Sequence, residues 1–216
     1  DAQESRGLGD VYKRQVICSL LILILTISSG LVVFGNSVYS ETNHGEYAVV
    51  NQKSKSEIEN EFEKILSEIN QSYESLPVTR GPAYEYKTVY ETSKKQYKTI
   101  SGFAGNQYRD GTKFKPGGGF YYSSSGGPKI SFSLNIPSPY GKMSFSVGLG
   151  NSSSTGEFVE VPDSVYYYKL YVTKDVEIRP YTTYRRTKGS SSWSVYVRGA
   201  VPVTVSQVLE VVRTKK

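Results

Sequence analysis

Histidine and cysteine are almost missing from this chain: His44 is the only histidine and Cys18 the only cysteine among 216 residues. Everything beyond residue 44 must therefore work without either. That excludes His-based catalytic triads, Cys nucleophiles, Cys/His zinc sites and disulfides from the bulk of the protein. There is also no GxxxxGK[ST] phosphate loop, no EF-hand loop and no GxGxxG between a strand and a helix. Neither a metal nor a cofactor is expected, and no catalytic residue is assigned. Tryptophan and methionine occur once each, whereas tyrosine occurs 19 times.

Long apolar runs are equally scarce. The one present is residues 16–34, VICSLLILILTISSGLVVF, with Lys13 and Arg14 before it and polar sequence after it. The stretch up to Ile27 suits the apolar core of an export signal. Ser28, Ser29 and Gly30 interrupt it, and Val38-Tyr39-Ser40 offers a cleavage site before Glu41. Residues 16–40 are thus expected to be a signal peptide and the protein to be secreted, extracellular or associated with the cell envelope. The alternative is a retained anchor, because about 20 apolar residues span a bilayer. Cys18 precedes most of the run, which is the wrong place for a lipidated cysteine. Residues 1–15, DAQESRGLGDVYKRQ, resemble translated sequencing-adapter read-through and are set aside as non-native. Export without cystines points to a bacterial setting, where oxidative folding is not the habit.

Charge divides the remainder. Residues 41–80 carry a net charge of −4, and residues 81–216 carry +10. The acidic segment holds one amphipathic helix: Ser56 and Glu59 have capping-box spacing, and Ile58, Phe62, Ile65, Leu66, Ile69 and Tyr73 fall on one face of a 3.6-residue period. A helix packed on the following domain is expected, with a released pro-segment as the alternative.

After Pro82 the period becomes two. Tyr84, Tyr86, Thr88 and Tyr90 alternate with Glu85, Lys87 and Val89, and Asp110-Gly111 reads as a hairpin turn. Residues 130–149 form the clearest hairpin: Ile130, Phe132, Leu134 and Ile136 alternate with Ser and Asn, and Met143, Phe145, Val147 and Leu149 repeat the pattern after a Pro-rich turn. Further strands are expected at 157–161, 165–173, 176–187 and 193–198, with a last run from Val201 to near Val212 and with Pro180 marking an edge or a bend. The fold class that follows is all-β, an antiparallel β-sandwich or barrel-like domain over 81–216, preceded by one amphipathic α-helix.

Two kinds of surface chemistry remain. Glu157, Glu160, Asp163, Asp175 and Glu177 are conceivable acid and base partners of a carbohydrate-active enzyme, although surface carboxylates balancing a basic sheet and ion pairing along Asp175-x-Glu177-x-Arg179 explain them more simply. The stronger signal is aromatic and basic. Tyr166, Tyr168, Tyr181, Tyr184 and Trp193 offer flat rings with polar tips, and Arg185 and Arg186 offer cations among them. Lys169, Lys174, Arg179, Lys188 and Arg198 extend the basic stretch. Such a mixture can bind nucleic acid, but an exported protein first meets anionic wall polymers, glycans and lipid surfaces, so no specific nucleic acid is expected. These seven residues are the expected binding site of a secreted, non-enzymatic module. A membrane-active toxin or antibacterial effector using the 130–149 hairpin is the main rival.

Intact-mass measurement of exported protein is expected to give a chain beginning at Glu41; a product that keeps residues 16–34 would replace secretion by anchoring.

Overall fold

The computed structural model describes residues 37–41, 47–74 and 83–215; the adapter-like segment and most of the expected leader lie outside them. The order of elements is β1 (Ser37–Glu41), β2 (Tyr47–Gln52), α1 (Lys55–Glu74), β3 (Tyr84–Tyr90), β4 (Gln96–Phe103), β5 (Thr112–Lys113), β6 (Gly119–Ser123), β7 (Lys129–Ile136), β8 (Gly141–Gly148), β9 (Asn151–Ser153), β10 (Glu157–Glu160), β11 (Tyr167–Thr187) and β12 (Ser194–Lys215). The expected cleavage point after Ser40 therefore falls inside β1.

Three antiparallel sheets form from these strands, sandwich-like and not closed into a barrel. The main sheet runs β1-β2-β12-β11, and β3, β4 and β5 lie end to end along the far edge of β11. The other two are a three-stranded sheet, β10-β6-β9, and the hairpin β7-β8. Strand alternation assigns each layer. On one face of β11, Tyr168, Leu170 and Val172 pack with Phe120, Tyr122 and Val159 of the three-stranded sheet, and Val176 and Ile178 pack with Ile136, Phe145 and Leu149 at the hairpin. The hairpin's serines face outward as Ser131–Ser146 and Ser133–Ser144 rungs. Its expected period-two pattern is thus present, with one apolar face buried.

The opposite face of β11 is covered over its second half by α1. Phe62 is fully buried and meets the Tyr90 ring edge-on, with 5.4 Å between centroids. The Tyr90 hydroxyl donates to the Phe62 carbonyl, and burial pushes this phenol up to about 12. The helix begins two residues earlier than the capping pattern suggested. Ser54 and Glu57, not Ser56 and Glu59, form the reciprocal cap: the Glu57 amide donates to Ser54 Oγ and the Ser54 amide to Glu57 Oε2. Glu59 is thereby left to a different task. It accepts two hydrogen bonds from Arg179, at 2.6 and 2.7 Å, while Arg179 Nε donates to Glu177 at 2.6 Å. Arg179 is 4 % exposed, with its guanidinium 3.9 Å from the Phe62 ring centroid, and Lys95 stands 3.7 Å from Glu177. Glu177 and Arg179 do pair, but beneath a helix and not across exposed strands.

One expected break is absent and one expected turn leads elsewhere. Residues 165–187 do not divide at Pro180, which lies in the middle of one 21-residue strand. Its carbonyl accepts from the Glu91 amide, so its nitrogen points to the same side, the gap between the end of β4 at Gln96 and the start of pairing with Tyr90 of β3. No ladder donor is required there, which makes proline tolerable in an interior strand. Asp110-Gly111 does turn, with Gly111 at φ 91°, but it returns the chain to β11 and does not pair β4 with β5.

Contacts cross the compositional boundary at residue 80. Ala48 and Val49 of β2 are buried, Val49 in one cluster with Leu209 and Val211 of β12. Replacing Arg179 by alanine is expected to destabilise the fold by about 3 kcal/mol in denaturant unfolding, the lower end for a broken buried pair because Lys95 stays beside Glu177. The hydrogen bonds from Arg179 hold the Glu59 carboxyl below its ordinary value of 4.5. Its stabilising effect is therefore complete above that value and lost as pH falls through the lower folded one. Urea midpoints measured against pH should show wild type losing its advantage over Glu59→Gln only in that acid range.

Candidate functional site

The turn between β11 and β12 brings together residues that are far apart in sequence. On the helix side of the sheet, Arg185 lies opposite Tyr86 in β3, and Tyr84 follows on the same face. Tyr196 falls at the β-bulge where pairing shifts between Thr183–Val197 and Tyr184–Val195. The bulge turns its ring toward this face, where it meets Tyr86 at 5.4 Å and Tyr73 of α1 at 5.6 Å between centroids. Tyr73 stacks on Tyr86 at 5.3 Å. Arg185 sits within this cluster, its guanidinium carbon 4.6 Å from the Tyr84 ring and 4.8 Å from the Tyr196 ring.

Arg185 has rings for neighbours and, among the described residues, no carboxylate partner. Two aromatic rings attract a cation while leaving the N–H edge of the guanidinium able to donate. Tyr84 and Tyr196 are 42 % and 41 % exposed, so solvent or a ligand reaches their rings. On the other side of the sheet Arg186 is differently placed. Its Nε donates to Glu85 at 2.6 Å and its carbon lies 4.6 Å from the Trp193 ring, so its charge is already matched. At the tip, Arg185 is thus a cation held by rings on one face, and Arg186 is already paired with Glu85 beside Trp193 on the other.

Of the seven expected site residues, Tyr184, Arg185, Arg186 and Trp193 are brought to this end. Tyr166 and Tyr168 are not. At about 3.3 Å per residue, Tyr168 lies roughly 55 Å of extended strand from Arg185. Tyr168 is also fully buried in the core beside Leu170 and Val172, so it has no face for stacking on a ligand. Burial raises its phenol pKa. Tyr166 packs at the edge of that core with the Arg213 guanidinium 3.9 Å from its ring, and Arg213 reaches Asp163 at 3.5 Å. Tyr181 is half-buried on the helix face, so close to Gly199 that a Cβ there would come within 2.5 Å of its ring. Burial raises its phenol pKa as well.

A single basic face does not form either. Lys174 and Arg179 are interior, Lys169 lies over the Phe103 ring, and Arg185 and Arg186 point to opposite sides. The sequence reading missed Tyr73, Tyr84 and Tyr86 as site residues and left Tyr196 out of the chosen set. The alternation of Tyr84 and Tyr86 was visible, but their neighbour Arg185 was not, because β3 joins β11 across about a hundred residues.

Four of the five candidate carboxylates are committed elsewhere, and the fifth, Glu160, is exposed at the end of β10. Asp175 accepts from Thr99 and Ser206, Glu177 from Tyr97 and Arg179, and Asp163 from the backbone amides of Val165 and Tyr166. Glu157 accepts from the Asn51 carboxamide. Among the described residues no cluster of three or more His, Cys, Asp or Glu could hold a metal ion, and no helix is long and apolar enough to cross a membrane.

No protein-family model, curated protein or solved structure matches the chain. Tyr168→Ala is expected to cost about 3–5 kcal/mol of stability, as for other large buried aromatics, whereas Tyr84→Ala should stay within about 1 kcal/mol because that ring is exposed. Paired urea titrations check the contrast.

Proposed function

We propose that the protein is a secreted, non-enzymatic binding module that holds an anionic polymer or surface of the cell envelope through the aromatic end of the β11–β12 turn. One observation carries the reading: Arg185 is held between Tyr84 and Tyr196 with, among the described residues, no carboxylate beside it, while Arg186, Arg213 and Lys215 each have one. A partly dried guanidinium with unused donors favours phosphate, sulfate or carboxylate groups. The exposed tyrosine rings supply flat contact area for the sugar or chain that carries them. The charge of +10 over residues 81–216 draws such a polymer toward the sheet over distances longer than any contact. The engaged state of Asp175, Glu177, Asp163 and Glu157 supports a non-catalytic role.

Retention on an immobilised anionic polysaccharide is expected to fall steeply as salt rises, because exposed charges are screened within about 10 Å at 0.1 M. Arg185→Ala should lower affinity by about tenfold, the loss of one charge-assisted contact. Tyr84→Ala and Tyr196→Ala should each weaken it separately, and Tyr166→Ala should not. Retention that is insensitive to salt, or undiminished in Arg185→Ala, refutes the proposal.

A further inference from the structure

Among the described residues, Lys174 is a buried cation without a counter-ion. It lies on the core face of β11 between Val172 and Val176 and is only 4 % exposed. Its ammonium donates to the Gly148 carbonyl at 2.9 Å and stands 5.9 Å from the centre of the Tyr122 ring. One carbonyl and one ring leave donor capacity on a group that has three N–H bonds. Its neighbour Asp175 points to the other face, toward Thr99 and Ser206. A charge of like sign, Lys53, acts on it and is itself bound to Glu61 of α1. Burial and that second cation hold the Lys174 pKa below its ordinary value. Left alone, a charge in this position is strongly disfavoured.

The same lysine lines a cavity of about 310 Å³ at the end of β2, where β12 bulges between Thr204 and Ser206. Lys53 lies on its wall, and Ser124, Thr204 and Gln207 bring hydroxyl and carboxamide groups to it, while the carboxamide of Asn51, also on the wall, is engaged by Glu157. Two ammonium groups face one lining carboxylate, Glu61, so the cavity has an excess of positive charge and a supply of neutral donors. We infer that this cavity binds a single tetrahedral oxyanion of the phosphate class, with Lys174 as the cation at its floor. An anion placed there would give Lys174 the partner that the protein itself withholds. The site is separate from the Arg185 surface and does not depend on it.

The test is a titration of the full-length chain with sodium phosphate, with sodium chloride adjusted to keep ionic strength constant, followed by amide resonances. Saturable shifts are expected at Asn51, Ser124, Lys174 and Ser206. Lys174→Met, which keeps the length of the side chain and removes its charge, should weaken binding by roughly tenfold or more. Arg185→Ala should leave it unchanged, so that failure here and failure of the polymer surface are told apart. Repeating the titration with glycerol phosphate distinguishes the source: saturation by both compounds means the group can be carried on a larger molecule, and saturation by phosphate alone means a free ion. Shifts that grow linearly without saturating, saturation centred on other residues, or wild-type affinity in Lys174→Met would overturn the inference. Should Lys174→Met not fold, the map obtained with the wild-type chain decides alone.

Discussion

The arrangement of layers depends on Arg179. Its guanidinium uses three nitrogens on two carboxylates, one from the helix and one from its own strand, and lies against the ring of Phe62. An apolar stripe such as that of α1 can rest on a sheet in several rotations at similar energy, because hydrophobic contact has no direction. The fork of Arg179 has direction. With Glu59 held in two bonds, the helix has one rotation and one height, and Phe62, Tyr73 and Asn70 then arrive over Tyr90, Tyr86 and the Thr88 amide. The position of the arginine is itself dictated. It precedes Pro180, opposite the gap between β4 and β3, where the sheet has no neighbouring strand to fill the space.

The two ends of the long hairpin use the same residue types to different effect. At one end Arg213 covers Tyr166 and Lys215 covers Tyr167, but Asp163 and Asp110 answer the charges. At the other, Arg185 lies between two tyrosines with no acid beside it among the described residues. A cation on an aromatic ring is thus a packing device in the first case and a site in the second, and only the missing acid separates them. The bulge at Thr183/Tyr184 contributes to that difference by turning Tyr196 onto the face of Arg185.

What could be read from the sequence follows the range of the interactions involved. The hairpin over β7 and β8 was legible because its apolar and serine positions alternate without interruption and the partners are neighbours in the chain. The stripe of α1 was legible for the same reason. Its cap was not, since Ser54/Glu57 and Ser56/Glu59 have equal spacing; only Arg179, 120 residues away, decides between them by claiming Glu59. Pro180 reads as a breaker until the junction of β3 and β4 is known. Tyr168 is a different kind of miss. Leu170 and Val172 share its parity, so the apolar side of the strand was already written there, and the run of three tyrosines concealed it. The pairing of Tyr84 with Arg185 and Tyr196 had no local signal at all.

Strand order also fixes when the main sheet can exist. β2 pairs with β12, and β3, β4 and β5 all pair with β11, so the strands made early find their partners among those made last. As the chain emerges from the ribosome, β1 can join β2 and the two small sheets can close on themselves, but the central layer stays open until residue 187 and incomplete until residue 215. Closing loops of that length is slow compared with forming the local β7–β8 turn. The chain is therefore kept from completing its fold for nearly the whole of its synthesis, and the turn from β11 into β12 is the late step that joins β2 to the rest of the central sheet.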